Sequence, residues 1–183
     1  MNEGEVLAAL VDVWVSHVAP HVRADCCILA ARVTSGVLDY YGIGNHVLAC
    51  ELLVYNDAAL DEISKGTPVA EWPANAWSLG AGKQMPGDGY AGHVIVRTDS
   101  GALVDLSAGQ FHRAGRINVD GPRVWRDVEE RSGTLVVHDG NTWFGFHPTT
   151  DKAYRNAPDW RTARELVGNI IRTMNYIATE KDQ

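Results

Sequence analysis

The stretch from Asp25 to Gly42, DCCILAARVTSGVLDYYG, constrains the fold more than any other part of the chain. Read at about 100° per residue, positions 27, 30, 31, 34, 37, 38 and 41 share a face, and all but Thr34 are apolar or Cys. Leu29, Val33, Gly36 and Tyr40 line a second apolar face. Only Arg32, Ser35 and Asp39 remain as a polar stripe. A helix apolar on most sides must be covered on most sides. The spacing therefore predicts a buried helix with Cys27 in its first turn and Gly42 as its stop signal.

The remaining segments supply what covers it. Residues 3–18 read as an amphipathic helix with Val6, Leu7, Leu10, Val11, Trp14 and Val18 on one face, ended by Pro20. Residues 45–55 read as a long strand ahead of the turn signal Asn56-Asp57, with Cys50 as a structural residue within it. A short helix is expected over 57–65. Residues 66–90, rich in Gly and Pro, read as a long surface loop pinned by Trp72 and Trp77.

Residues 91–98 and 102–106 read as strands joined by the hairpin turn Asp99-Ser100-Gly101. Residues 107–116 leave the sheet as a turn or short helix, and 123–128 read as a further strand. Residues 134–138 and 142–146 form a second hairpin around Asp139-Gly140-Asn141. Residues 158–179 form a closing amphipathic helix with Pro158 at its start and Trp160, Ala163, Leu166, Val167, Ile170, Ile171, Met174 and Ile177 on its buried face. Two helices, several antiparallel strands and a last helix make an α+β fold, expected as one domain over 1–183.

Charge and cysteine content narrow the function classes. A formal charge of −7, with no basic stripe, argues against nucleic acid as a partner. Three cysteines, two of them adjacent, are poor material for a disulfide framework. The acidic start Met1-Asn2-Glu3-Gly4-Glu5 is unlike a secretory signal, and no apolar run reaches membrane-spanning length. The expected setting is the cytoplasm, with no membrane partner.

A thiol at a helix start meets the positive end of the macrodipole and unpaired N–H groups, which favours thiolate. A free cysteine is equally often a small buried hydrophobe. Cys27 gains interest from two residues downstream. His93 opens the first strand of the 91–106 hairpin and Asp105 lies near the end of the second. Antiparallel pairing places them roughly opposite, within a residue or two of register, in reach of a side-chain hydrogen bond. A cysteine nucleophile needs a base, a group to orient that base, and N–H donors for the oxyanion. Cys27, His93 and Asp105 supply the nucleophile, the base and its orienting group, and the Cys27 N–H is one donor candidate. Gln110, His21, Cys26 and Trp77 are candidates for the second donor or the pocket wall.

The run from Cys27 to Gly42 through Val37-Leu38-Asp39-Tyr40-Tyr41, then Gly92-His93-Val94-Ile95-Val96, then Val104-Asp105-Leu106-Ser107, resembles the papain-like superfamily in its transglutaminase-like branch, which includes the arylamine N-acetyltransferases. The resemblance covers about residues 25–111. The run Asp105-Leu106-Ser107-Ala108-Gly109-Gln110-Phe111 also resembles uncharacterised bacterial and phage proteins of this type. It implies a papain-like core, a buried Cys helix on an antiparallel sheet. It also implies a thiol enzyme acting on an acyl or amide bond of a peptide, protein or small molecule: a peptidase, deamidase or acyltransferase. Ala24-Asp25-Cys26 stands where the acetyltransferases carry Arg-Gly-Gly, and the chain is shorter than those enzymes. Their acetyl-CoA dependence is therefore not implied, and no cofactor is expected.

Three alternatives compete. Asp25-Cys26 resembles the NlpC/P60 cell-wall peptidases, which selects Cys26 as nucleophile. A binding protein on the same fold would use the 66–90 loop and Trp143-Phe144 for recognition. A zinc protein would use His17, His21 and a cysteine.

Overall fold

Residues 1–23, 25–67, 76–80 and 90–181 are described in a computed structural model of the protein. Helix α1 (Glu3–Val13) begins with a reciprocal cap: the Glu5 N–H donates to the Asn2 side chain, and the Asn2 N–H donates to the Glu5 carboxylate. Glu3 ties this end to the first hairpin, accepting from Ser100 Oγ at 2.8 Å and Thr98 Oγ1 at 3.3 Å. The expected helix to residue 18 changes character after Val13. Trp14–Val18 widen into a π-helical turn and Ala19–His21 tighten into a 3-10 turn. Pro20 has no N–H with which to continue the ladder.

Helix α2 (Cys27–Tyr40) has the predicted position. Ala30, Ala31, Val33, Thr34, Val37 and Leu38 are buried, as a centrally packed helix requires. Two positions depart from the expected pattern. Ser35 is buried despite its place in the polar stripe, and Tyr40 is exposed despite its place on the second apolar face.

Strand β1 (Asn45–Asn56) is the central strand. One edge pairs with β8 (Thr142–Thr149); the other pairs first with β3 (His93–Thr98) and further along with β2 (Ala76–Leu79). Helix α3 (Asp57–Ser64) follows β1. The sheet continues from β3 through β4 (Leu103–Asp105) to β5 (Arg123–Trp125), and from β8 through β7 (Thr134–Asp139) to β6 (Glu129–Arg131). All pairings are antiparallel, and the sheet curls into a half-barrel. Strand β2 corrects the reading of 66–90 as loop throughout. Residues 68–75, with Trp72, and 81–89 lie outside the described residues.

Alternation along the strands sorts side chains into two cores. Ala49, Val94, Val96, Val104 and Leu106 pack with α1, α2 and helix α4 (Pro158–Lys181). Cys50, Leu52, Val54, Ile95, Leu103, Phe111, Trp125, Phe144 and Phe146 form the second core. No described helix is long and apolar enough to cross a membrane. Helix α2 packs on β3 and β4, which brings its N-terminus toward the start of β3 and the end of β4.

Candidate active site

Three elements converge here. Cys26 is the N-cap of α2 and makes no side-chain cap, so its sulfur does not claim the N–H groups of the first turn. Cys27 is the first helical residue and keeps 9 % of its surface exposed. His93 opens β3 and Asp105 closes β4, both almost completely buried.

The register decides how the last two meet. Val96 lies opposite Val104 and Arg97 opposite Leu103. Continued by one residue, that pairing sets Asp105 opposite Ile95. His93, two residues further along, is its diagonal neighbour on the same face. Its Nε2 stands 2.6 Å from Asp105 Oδ2. A carboxylate only accepts, so Nε2 carries the proton. The Oδ1 atom accepts from the Ser107 N–H at 2.9 Å and from Ser107 Oγ at 2.7 Å. Gln110 Nε2 donates in turn to Ser107 Oγ at 3.0 Å.

Burial alone would strip the proton from His93. The Asp105 charge and hydrogen bond override burial, Cys27 adds to them, and together they hold the imidazole pKa well above its ordinary range. Cys27 is thus close enough to favour the imidazolium. The second ring nitrogen, Nδ1, is buried and makes no hydrogen bond of regular geometry among the described residues. A buried polar atom left open in this way is uncommon. The ring is clamped by Phe111, with centroids 5.0 Å apart, and by Phe146 at 6.2 Å.

The other cysteines are poor nucleophiles. Burial, followed by the charge of Cys27, pushes the Cys26 thiol up to about 12. Burial and the Asp105 charge push Cys50, directly opposite His93 on β1, up to about 12. A thiol with such a pKa is almost entirely protonated at neutral pH.

The remaining candidates fall into place around this centre. Gln110 lies in a 3-10 turn (Ala108–Phe111) and supports Ser107. Trp77, on β2, packs on Phe111 at 5.2 Å between centroids, and Phe111 packs in turn on His93. His21 is exposed and makes no hydrogen bond or ion pair among the described residues. His17 is exposed as well, and among the described residues no three His, Cys, Asp or Glu side chains are placed to hold a metal, so the zinc arrangement is not formed. The expected recognition surface at Trp143-Phe144 is also corrected. Phe144 is core, while Trp143 stacks on His138 and donates to Asp57.

Two residues escaped the sequence reading. Ser107 was visible only as a polar residue after a strand. Tyr90 is half-buried, its hydroxyl lying against Gly92, where an added Cβ would stand 2.9 Å from it. Burial, then the charges of Asp151, Cys50 and Cys27, raise the Tyr90 pKa, which places its hydroxyl near the candidate nucleophile. The run Tyr90-Ala91-Gly92-His93 is the signal that was available.

Compared with protein-family models, curated proteins and solved structures, the chain matches none.

Proposed function

We propose that the protein is a thiol enzyme acting on an amide or acyl bond, with a papain-like core of the transglutaminase-like kind carried on one domain. Cys27 is the nucleophile, His93 the proton relay and Asp105 the group that orients the ring. The observation that carries this reading is the buried His93–Asp105 hydrogen bond, with Nδ1 left open and Cys27 beside it.

The chemistry follows from those roles. In the resting pair the Cys27 proton already sits on Nδ1 of His93, and the Cys27 thiolate bonds to the substrate carbonyl carbon. N–H groups in the first turn of α2 receive the developing oxyanion. The carbon–nitrogen or carbon–oxygen bond then breaks, and the leaving group takes the proton from the imidazolium. Water or an amine attacks the acyl-enzyme, gives a proton to His93, and releases Cys27. No metal or cofactor takes part in this reading. The substrate is a peptide, protein or small amide or ester, met in the cytoplasm.

The raised Cys26 thiol weighs against the NlpC/P60-like alternative. The complete burial of His93 favours a second reading, in which the pair is a structural ion pair of a binding protein.

Alkylation at stepped pH, with the labelled site mapped by mass spectrometry, separates them. A free thiol titrates near pH ~8.5, and a paired thiolate is present well below that. Cys27 is expected to label at about pH 6, to keep doing so in Cys26→Ser, and to stop in His93→Ala. Labelling of Cys26 instead moves the nucleophile by one residue. If no cysteine reacts below about pH 8, the binding protein is the better description.

A further inference from the structure

We propose that Ser107 is the positioning residue of the His93–Asp105 pair and that Gln110 fixes the Ser107 hydroxyl in its working orientation. Only the catalytic consequence of this rests on the role given to Cys27 above.

A carboxylate has two equivalent oxygens and rotates freely unless both are occupied. Ser107 takes one of them twice over, through its backbone N–H and its hydroxyl, both on Oδ1. The short i to i+2 spacing makes this a closed local turn, which sets the carboxylate plane independently of the rest of the sheet. Oδ2 is then the oxygen left for Nε2 of His93.

The direction of every proton in the chain is determined. Oδ1 can only accept, and Ser107 has a single hydroxyl proton, so that proton points at Asp105. The Ser107 oxygen is left with lone pairs alone, so the Gln110 group 3.0 Å away must be its N–H and not its carbonyl. Gln110 donates to Ser107, Ser107 donates to Asp105, and His93 donates from the other side. All the donors converge on one carboxylate and fix its plane against the His93 ring.

The outer end of the chain is open. Ser107 and Gln110 line a pocket of about 170 Å³ with Trp14, Cys26 and Pro122. Water entering there can replace the Gln110 amide, whereas Ser107 is 5 % exposed and has no such substitute. Ser107 is therefore the more demanding position.

Two readouts on Ser107→Ala, Ser107→Thr and Gln110→Leu test the assignment. One is the pH profile of Cys27 alkylation by iodoacetamide. The other is the imidazole N–H proton resonance of His93, identified by its loss in His93→Ala. In Ser107→Ala the anion loses a donor, so the acid limb of alkylation moves to higher pH. The rate at pH 6 falls by about tenfold, the scale of one hydrogen bond to a charged group, and the ring proton exchanges faster with water. Ser107→Thr keeps the hydroxyl and restores both. Gln110→Leu frees the hydroxyl rotor and gives a smaller loss, about two- to threefold.

A Ser107→Ala protein that is merely less heat-stable, with limb and resonance unmoved, overturns the proposal. If that variant does not fold, an unchanged limb and resonance in Gln110→Leu overturn it equally. Should wild-type Cys27 fail to label below about pH 8, the nucleophile reading falls. The ring resonance then still decides whether Ser107 positions the pair.

Discussion

His93 and Asp105 exchange a hydrogen bond where water is almost absent, and that isolation makes the pair sensitive to pH. The folded-state pKa of His93 is raised against burial by Asp105 and, secondarily, by Cys27. The folded protein therefore keeps a proton that the unfolded chain releases. The pair's contribution to stability is full below ~6.5, the ordinary histidine value, and is lost as pH rises toward the raised one. The stability gap between wild type and Asp105→Asn, measured by urea unfolding, should be widest near pH 6 and narrow by pH 9.5. A gap that ignores pH would mean that the native ring is already neutral. Asp105→Ala, which leaves the buried ring without its counter-charge, should cost roughly 3–5 kcal/mol near neutral pH. A loss below about 1 kcal/mol in the same titration would show the pair to be replaceable by solvent. The pairing of these two residues was legible because Asp99-Ser100-Gly101 fixes a turn between them. The support from Ser107 was not, because serine after a strand is compatible with many turns and only the side-chain geometry selects one.

At the scale of elements, α2 and α4 meet at Gly36. A Cβ there would stand 3.0 Å from both methyl groups of Val167. Alanine normally stabilises a helix interior relative to glycine by roughly 0.5–1 kcal/mol. Here the added methyl meets a β-branched side chain with little rotamer freedom. Gly36→Ala is therefore expected to destabilise, by about 1–3 kcal/mol, and Val167→Ala in the same chain to recover most of that loss. Thermal unfolding of the two single variants and the double variant measures it; a Gly36→Ala protein more stable than wild type would place the helices further apart. The sequence marked α2 by its apolar breadth but misassigned Ser35 and Tyr40. A helical wheel gives the angle of a side chain, not which neighbour covers it. Strand β2 was missed for a related reason. Ala76–Leu79 is too short to show alternation and is a strand only because β1 offers it an edge.

For the molecule as a whole, the hydrogen-bonding pattern predicts a gradient of local stability. Strand β1 has partners on both edges, whereas β6 ends the sheet and its three residues are all exposed. Native-state hydrogen exchange should find the amides of β1 that pair with β3 and β8 among the slowest, opening only with global unfolding, and those of β6 among the fastest. Equal protection in β6 and β1 would show that something further covers the β6 edge. The two cores on either side of the sheet make the His93 site dependent on distant packing. The ring is held by Phe111 and Phe146, and Phe111 is held by Trp77 and Phe144. Trp77→Ala should therefore broaden the His93 ring resonance as well as lower stability by roughly 1–3 kcal/mol; an unchanged resonance would uncouple the two.

The sequence by itself determined the helices with strong periodicity, the two hairpins with Asp- and Gly-rich turns, and the order Cys27, His93, Asp105. These are local properties, carried by spacing and by turn chemistry within a few residues. The tertiary structure alone decided that the sheet curls so that α2 covers one face, that β2 completes the second edge of β1, and that Cys26 and Cys50 become reluctant thiols while Cys27 comes to lie beside His93. Those outcomes depend on which surfaces meet across large sequence distances. Burial and electrostatic environment, which set the chemistry of a thiol or an imidazole, are properties of that meeting and not of the residue.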